Sequence, residues 1–143
     1  MNISEARRIV TSVVLVISGA SGAAYGVRLL EALCELGAEV RLVVTDSGRL
    51  TLQHECSTTP EDLANKFDVI LDANDDVAAR SASGSARIDH VVICPASGTT
   101  IGKIASGIGD NLATRSAIVA LKERRKLIMI PREAPFATVH LEQ

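Results

Sequence analysis

Four short polar segments stand directly after apolar runs of this chain, and each can bind a ligand: residues 19–22, 45–47, 97–100 and 132–133. The first (GASG) would let the backbone approach a ligand closely and aim helix N–H groups at an anion. A plain strand-to-helix turn would also need glycine for packing, so both interpretations are open. The spacing of Gly19, Gly22 and Gly26 does not fit the dinucleotide fingerprint G-x-G-x-x-G.

A second polar turn, residues 97–100 (SGTT), offers hydroxyls and backbone donors without net charge. Two such turns at one sheet edge can hold a phosphate and a polar ring together. Ser97 or Thr99 could equally serve only as a helix cap. Thr45 is open to the same two interpretations, since it could cap the next helix or bond a ligand.

Charged candidates stand on a predicted helix and after the last predicted strand. Arg115 and Lys122 are seven residues apart in the helical pattern 110–125, so they share one face, either solvated or anion-binding. Arg132 and Glu133 lie between two prolines, where a rigid turn would fix an acid beside a base. Such a carboxyl can donate or accept a proton, or it can form only a local ion pair.

The apolar pattern predicts the elements that position these side chains. Strands are predicted at 13–18, 39–45, 68–71, 90–94 and 126–130. Helices are predicted at 23–36, at 47–55, at a short segment opened by Thr59 and Pro60, and at 110–125, with a mobile loop at 72–87. This alternation predicts a three-layer, doubly wound α/β fold, Rossmann-like or flavodoxin-like, with a parallel sheet and helices on both faces. The polar segments should therefore meet at the carboxyl edge of the sheet.

Composition narrows the class of protein. The 143 residues are 47% hydrophobic with a formal net charge of -2, which indicates one globular domain over 1–143 with a polar tail at 1–11. Aromatic residues make up only 2%, which argues against stacking on bases and thus against a nucleic-acid binder. The three cysteines and three histidines lack metal-ligand spacing, so no metal is predicted. No apolar run reaches the ~20 residues of a membrane span, and we expect a cytoplasmic protein.

Four stretches together resemble the flavin prenyltransferases of the UbiX type, within the superfamily of homo-oligomeric flavin-containing cysteine decarboxylases. They are SGASGAAYGVRLLEAL (18–33), ASGSARIDHVVICPASGTT (82–100), SGIGDNLATRSAIVALKERRKLIMIPREAP (106–135) and FATVHLEQ (136–143). The resemblance implies an enzyme that joins the dimethylallyl group of dimethylallyl phosphate, or its diphosphate, to N5 and C6 of reduced FMN without a metal. FMN would be both ligand and substrate, and the prenylated FMN would serve a partner decarboxylase of the UbiD type. The family forms trimers that assemble into dodecamers, so a homo-oligomer is expected.

The resemblance also implies roles for individual residues. Catalysis would involve Ser21, Glu55 and, as a proton relay, Glu133. The prenyl phosphate would be bound by Lys122 and Arg115. FMN would be bound by the two polar turns, by a hydroxyl after the second strand and by an arginine after the last: Gly19, Ala20, Ser21, Thr45, Ser97, Gly98, Thr99, Thr100 and Arg132.

Two departures from the family pattern bear on function. The loop DDVAARSASGS (75–85) carries no aromatic residue, although the family usually has one there. Family members also continue for roughly 45 residues beyond HLEQ, with a further strand, a Tyr, a Lys or Arg for the prenyl phosphate, and a helix. We therefore expect a complete flavin half of the site and a prenyl-phosphate half without these contributors.

Three alternative functions are open. An FMN-dependent cysteine decarboxylase would need a catalytic His after the first strand region and a PxMNxxMW segment, and the chain has neither. A non-catalytic FMN-binding protein would fit the short carboxyl end. A nicotinamide-dependent reductase would need a TGxxxGxG turn and a Tyr-x-x-x-Lys pair, but the fourth residue after Tyr25 is Leu29.

Overall fold

The computed structural model describes residues 10–143, so the predicted tail at 1–11 lies almost entirely outside the described residues. The strands are β1 (Ser12–Ile17), β2 (Glu39–Val44), β3 (Ile70–Asp72), β4 (His90–Ala96) and β5 (Lys126–Pro131). The helices are α1 (Ala23–Glu35), α2 (Asp46–Cys56), α3 (Pro60–Phe67), α4 (Gly98–Ala105), α5 (Leu112–Lys122) and α6 (Thr138–Leu141), with a 3-10 turn at Arg80–Ala82. The five predicted strands and four predicted helices are confirmed, with ends that differ by at most three residues.

The five strands form one parallel sheet in the order β3-β2-β1-β4-β5. From β1 the chain adds β2 and then β3 on one side of the sheet. It then crosses to the other side of β1, where it adds β4 and β5. The predicted doubly wound α/β fold is thus confirmed. Open α/β sheets bind ligands in the crevice at such a reversal, at the carboxyl ends of the strands.

The central strand β1 is buried on both faces, as its continuous apolar run, Val13–Ile17, predicts. Val14 and Val16 point to the layer of α4 and α5, and Leu15 and Ile17 point to the layer of α1, α2 and α3. All four side chains are 0% exposed. Burying each contributes ~1.5–3 kcal/mol, so the sheet that carries the polar turns is a rigid support.

Two helices, α4 and α6, were not predicted from the sequence. Residues 97–100 are the cap and first turn of α4 and not a free turn. Its glycines at 98 and 102 have poor helix propensity, which hides α4 from the pattern, although buried Ile104 packs it against the sheet. Helix α5 begins at Leu112 because Asn111 is its N-cap, with its Oδ1 accepting from the Thr114 N–H at 2.9 Å.

The loop between β3 and β4, predicted to be mobile, is anchored at both ends. The Arg125 guanidinium donates to the carbonyl oxygens of Ser83, Gly84 and Ala86, at 3.2, 2.6 and 2.7 Å. At the other end, Asp72 forms an ion pair with Arg41 of β2. The Asp72 anchor holds the loop at the carboxyl edge of the sheet, and the Arg125 anchor holds it at the amino edge, before β4 begins. In residues 10–143, no helix is both long and apolar enough to span a bilayer.

Candidate functional site

A cleft of ≈ 320 Å³ opens at the carboxyl edge of the sheet, over the reversal between β1 and β4. Because the strand order places β2, β1 and β4 side by side, the polar segments that follow them meet in this cleft. The sequence predicted five of its lining residues as ligand-binding, namely Gly19, Thr45, Ser97, Thr99 and Thr100. The remaining lining residues are Asp46, Ser47, Asn74, Lys103 and Asn111.

Two helices point their N-termini into the cleft. Thr45 Oγ1 accepts from the Gly48 N–H at 3.0 Å at the start of α2, and Ser97 Oγ accepts from the Thr100 N–H at 3.2 Å at the start of α4. Both residues therefore act as helix caps and also line the cleft. The first N–H groups after each cap have no acceptor within their helix, so they can donate to an anion in the cleft.

The third helix N-terminus, that of α1, already holds an anion. The N–H groups of Gly22 and Ala23 donate to one carboxylate oxygen of Glu55, at 3.0 and 2.8 Å. The expectation that the GASG turn aims free N–H groups at a ligand anion is therefore corrected: this protein's own carboxylate occupies that position. The same contacts bring Glu55, at the end of α2, to the turn that carries the exposed Ser21.

Gly19 contributes to the cleft by its lack of a side chain. A Cβ at this position would overlap the Cβ of Ser47, so only glycine lets the turn after β1 approach the start of α2. Ala20 and Gly98, also predicted to contact the ligand, are buried and are absent from the lining of the cleft.

Residues that sequence reasoning missed hold the turns together. The buried Ser18 Oγ donates to the Pro95 carbonyl at 2.6 Å and accepts from the Ser97 N–H at 2.8 Å, which ties the turn after β1 to the turn after β4. Asn74 caps α5 from outside the helix, with its Oδ1 accepting from the Ala113 N–H at 3.1 Å. Asn111, a residue type that favours the N-cap, could have been recognised from the sequence as the start of a helix. No sequence pattern marks the contacts of Ser18 or Asn74.

The full charges that line the cleft, within residues 10–143, are those of Asp46 and Lys103. Lys103 forms an ion pair with Asp110 at 3.0 Å. Anion binding there would therefore depend mainly on backbone N–H groups and hydroxyls. The described residues contain no group of three or more His, Cys, Asp or Glu that could hold a metal ion. Cys94, at the end of β4, is buried, and burial raises the pKa of its thiol, which disfavours the nucleophilic thiolate.

Arg132 and Glu133 follow β5 and lie next to residues 97–100, the start of α4. The Arg132 N–H donates to the Ala96 carbonyl at 3.2 Å, and this fixes the backbone beside Ser97. The Arg132 side chain is exposed and that of Glu133 is half-buried. Within residues 10–143 the two form no ion pair with each other, which contradicts the local ion-pair alternative.

The structure does not bring Lys122 to the cleft of its own chain. Asn111 lines the cleft as the N-cap of α5, whereas Lys122 is the last residue of that helix. Eleven residues at 1.5 Å each separate them by ~16 Å along the helix axis. Arg115 lies one turn beyond the cap, and both cationic side chains are exposed.

Comparison with known proteins places this geometry among flavoproteins. Residues 2–141 match the family described as Flavoprotein. The chain is 44% identical over 129 residues to the flavin prenyltransferase UbiX of Thauera aromatica, covering 90% of this chain and 66% of that protein. It is 38% identical over 135 residues to the flavin prenyltransferase UbiX of Methanothermobacter thermautotrophicus, covering 94% of this chain and 70% of the relative. The chain thus spans about two thirds of the length of these curated relatives.

A solved structure of AnUbiX (PadA1) in complex with FMN and dimethylallyl pyrophosphate matches the fold with a TM-score of 0.89 and 34% identity. The match covers 93% of this chain and 70% of the solved chain.

Proposed function

The chain belongs to the Flavoprotein family and, within it, to the flavin prenyltransferases of the UbiX type, and from this we propose that it transfers a dimethylallyl group from dimethylallyl phosphate to reduced FMN. The observation that carries the proposal is the single cleft formed by Gly19, Thr45 and Ser97 at the reversal of the sheet. A solved relative with this fold binds both FMN and dimethylallyl pyrophosphate.

The donor set of the cleft fits FMN. The ligand phosphate would accept from the first N–H groups of α2 and α4, with the hydroxyls of Thr45, Ser97 and Thr99 around it. The Glu55 carboxylate at the start of α1 disfavours the doubly charged phosphate there, so the isoalloxazine ring would lie toward Ser21 and Gly19. When bound, reduced FMN supplies two nucleophilic atoms, N5 and then C6.

Charge compensation at the leaving phosphate is the main electrostatic demand of an allylic C–O cleavage. Arg115 and Lys122 can supply it as exposed cations: among residues 10–143, Arg115 forms no ion pair, and Lys122 pairs only with Glu123, at 4.0 Å. Because ~16 Å of helix separates Lys122 from the cleft of its own chain, it would serve the cleft of a neighbouring subunit. This agrees with a homo-oligomer, a trimer or dodecamer.

Proton movement is assigned to Glu133. Closing the new ring would add a proton to the prenyl double bond and remove one from C6, and the carboxyl group of Glu133, beside residues 97–100, would donate the first proton and accept the second. Arg132 fixes this position through the hydrogen bond of its N–H to Ala96, while its side chain is free to contact the flavin. Glu55 would act at the GASG turn, where its carboxylate lies next to Ser21.

The cellular setting is part of the same proposal. All three cysteines are free thiols, which suits a reducing cytoplasm. The product, prenylated FMN, would pass to a decarboxylase of the UbiD type.

The deciding experiment mixes the purified protein with chemically reduced FMN and dimethylallyl phosphate without oxygen. We expect a flavin product heavier by one dimethylallyl group in mass spectra, with a changed absorbance. Flavin bound but unchanged would leave a non-catalytic FMN-binding protein, and absence of flavin binding would refute the proposal. Lys122→Ala should slow the reaction, while Lys66→Ala, at another exposed lysine, in α3, should not.

A further inference from the structure

Helix α6 packs across a glycine-lined face of α4. Gly98 and Gly102 are four residues apart in α4 and thus lie on one face. A Cβ at position 98 would lie 2.7, 2.9 and 3.0 Å from the Nε2, Cε1 and Cδ2 atoms of His140. Three ring atoms at nearly equal distances mean that the imidazole lies over the Cα of Gly98.

The two glycines differ in what a side chain would meet. At Gly102 the nearest atom is Oε1 of Gln143, at 2.8 Å, and the next atoms are at 3.6 Å. This amide is the end of a flexible side chain and can move away. At Gly98 the neighbour is a rigid ring. Neither glycine has a positive φ, so the backbone of α4 would accept alanine at both positions.

The ring of His140 reaches the first turn of α4 from the segment that begins with Arg132. That segment is attached to the end of β4 twice: the Arg132 N–H donates to the Ala96 carbonyl, and His140 lies on Gly98 two residues later. Between these contacts stands Ser97, the cap of α4 that lines the cleft.

We propose that His140 is a positioning residue for flavin binding: its ring, lying on Gly98, fixes the first turn of α4 relative to Arg132 and Glu133. This inference rests on the proposed FMN site. His140 itself is absent from the lining of the cleft and acts through the backbone N–H groups of α4. Its role depends on the shape of the ring, because Nδ1 is buried and has no hydrogen-bond partner among residues 10–143.

A double-mutant cycle of Gly98→Ala and His140→Ala tests the contact in the FMN-free protein. In the presence of His140, the added methyl forces the ring or the helix to shift, and we expect Tm to fall by about 3 °C or more. In the His140→Ala background the same substitution should leave Tm unchanged or raise it, because alanine is the better helix former. Gly102→Ala is the matched control and should not lower Tm.

The positioning role is tested by FMN affinity in the same proteins. Gly98→Ala should weaken FMN binding about tenfold or more, as expected when such a clash displaces the donors of the first turn. Adding His140→Ala should restore binding to the level of His140→Ala alone. His140→Phe keeps a flat ring and should bind FMN within about threefold of the wild type, whereas His140→Ala should bind more weakly than that and shift the flavin absorption band.

The outcomes separate this inference from the proposed function. A wild-type protein that does not bind FMN would refute both. A wild type that binds FMN, with His140→Ala binding equally well and with an unchanged spectrum, would refute only the positioning role. Additive effects in the cycle, or equal loss in His140→Phe and His140→Ala, would refute it as well. If Gly98→Ala does not fold, the FMN affinities of His140→Phe and His140→Ala still test the positioning role.

Discussion

Asp72 and Arg41 form a buried ion pair whose loss should destabilise the protein. Asp72 ends β3, and its side chain is 8% exposed. Its carboxylate accepts from Nε and Nη2 of Arg41, at 2.8 and 2.7 Å, and also from the Ser81 hydroxyl. Asp72→Ala would leave the Arg41 side chain, 13% exposed, without its partner and would release the 3-10 turn from the sheet.

The expected loss is large because one charge of a buried pair remains. Breaking such a pair costs ~3–5 kcal/mol, and we take ~3 because Arg41 keeps some access to water. For 143 residues, an unfolding entropy of ~2.1 cal/mol/K per residue gives ~0.3 kcal/mol/K. Asp72→Ala should therefore lower Tm by about 10 °C.

Thermal unfolding followed by far-ultraviolet circular dichroism measures this shift, and urea unfolding gives the free energy. The matched control is Glu61→Ala, which removes the ion pair with Arg49, because these side chains are 55% and 50% exposed. It should cost less than about 0.5 kcal/mol. Replacing both members, as Arg41→Met with Asp72→Leu, should be less destabilising than Asp72→Ala. A fall in Tm below about 3 °C for Asp72→Ala would refute the reasoning, because the pair would then be worth no more than one at the surface.

Three further predictions concern acidic residues. Glu133→Gln should slow prenyl transfer about tenfold or more with FMN affinity within a few-fold, because the amide keeps the shape of the side chain but can neither donate nor accept the relayed proton; abolished flavin binding would contradict this. Glu55→Ala should lower the free energy of unfolding by about 1 kcal/mol in urea, since two N–H groups of α1 lose a charged acceptor, and an unchanged midpoint would count against that cap. Hydrogen bonds from Arg49 lower the pKa of Glu61. The small stabilisation by this pair should thus be present above pH ~4.3 and disappear as the pH falls through the lowered pKa, so wild type and Glu61→Gln should differ at pH 7 but converge in acid.

Much of the fold could be predicted because the local patterns agree with the tertiary structure. The run Val13–Ile17 is apolar at every position, which suits a strand covered on both faces, and β1 has those two covers. Helix α4 escaped prediction because its glycines oppose a helix by propensity, while its stability comes from packing against α5 and α6 and from Ile104 in the core.

For the site, the residues that line the cleft through local turn chemistry were predictable. Gly19, Thr45 and Ser97 each follow a strand, and the parallel sheet brings them together. Residues that act through contacts distant in sequence were not. Ser18 joins two turns 79 positions apart, and the ring of His140 lies on Gly98. A single sequence shows which face a residue occupies but not which distant residue meets it.

The sequence by itself determined the parallel α/β sheet and the gathering of the polar turns at one edge, because continuous apolar runs must be buried on both faces and parallel strands end together. Only the tertiary structure decided how charge is distributed around that edge. In the structure, the Glu55 carboxylate caps the N-terminus of α1, whereas the N-termini of α2 and α4 face the cleft. Lys122 lies at the end of α5 that is far from the cleft. These outcomes depend on distances between elements, and spacing along the chain does not encode such distances.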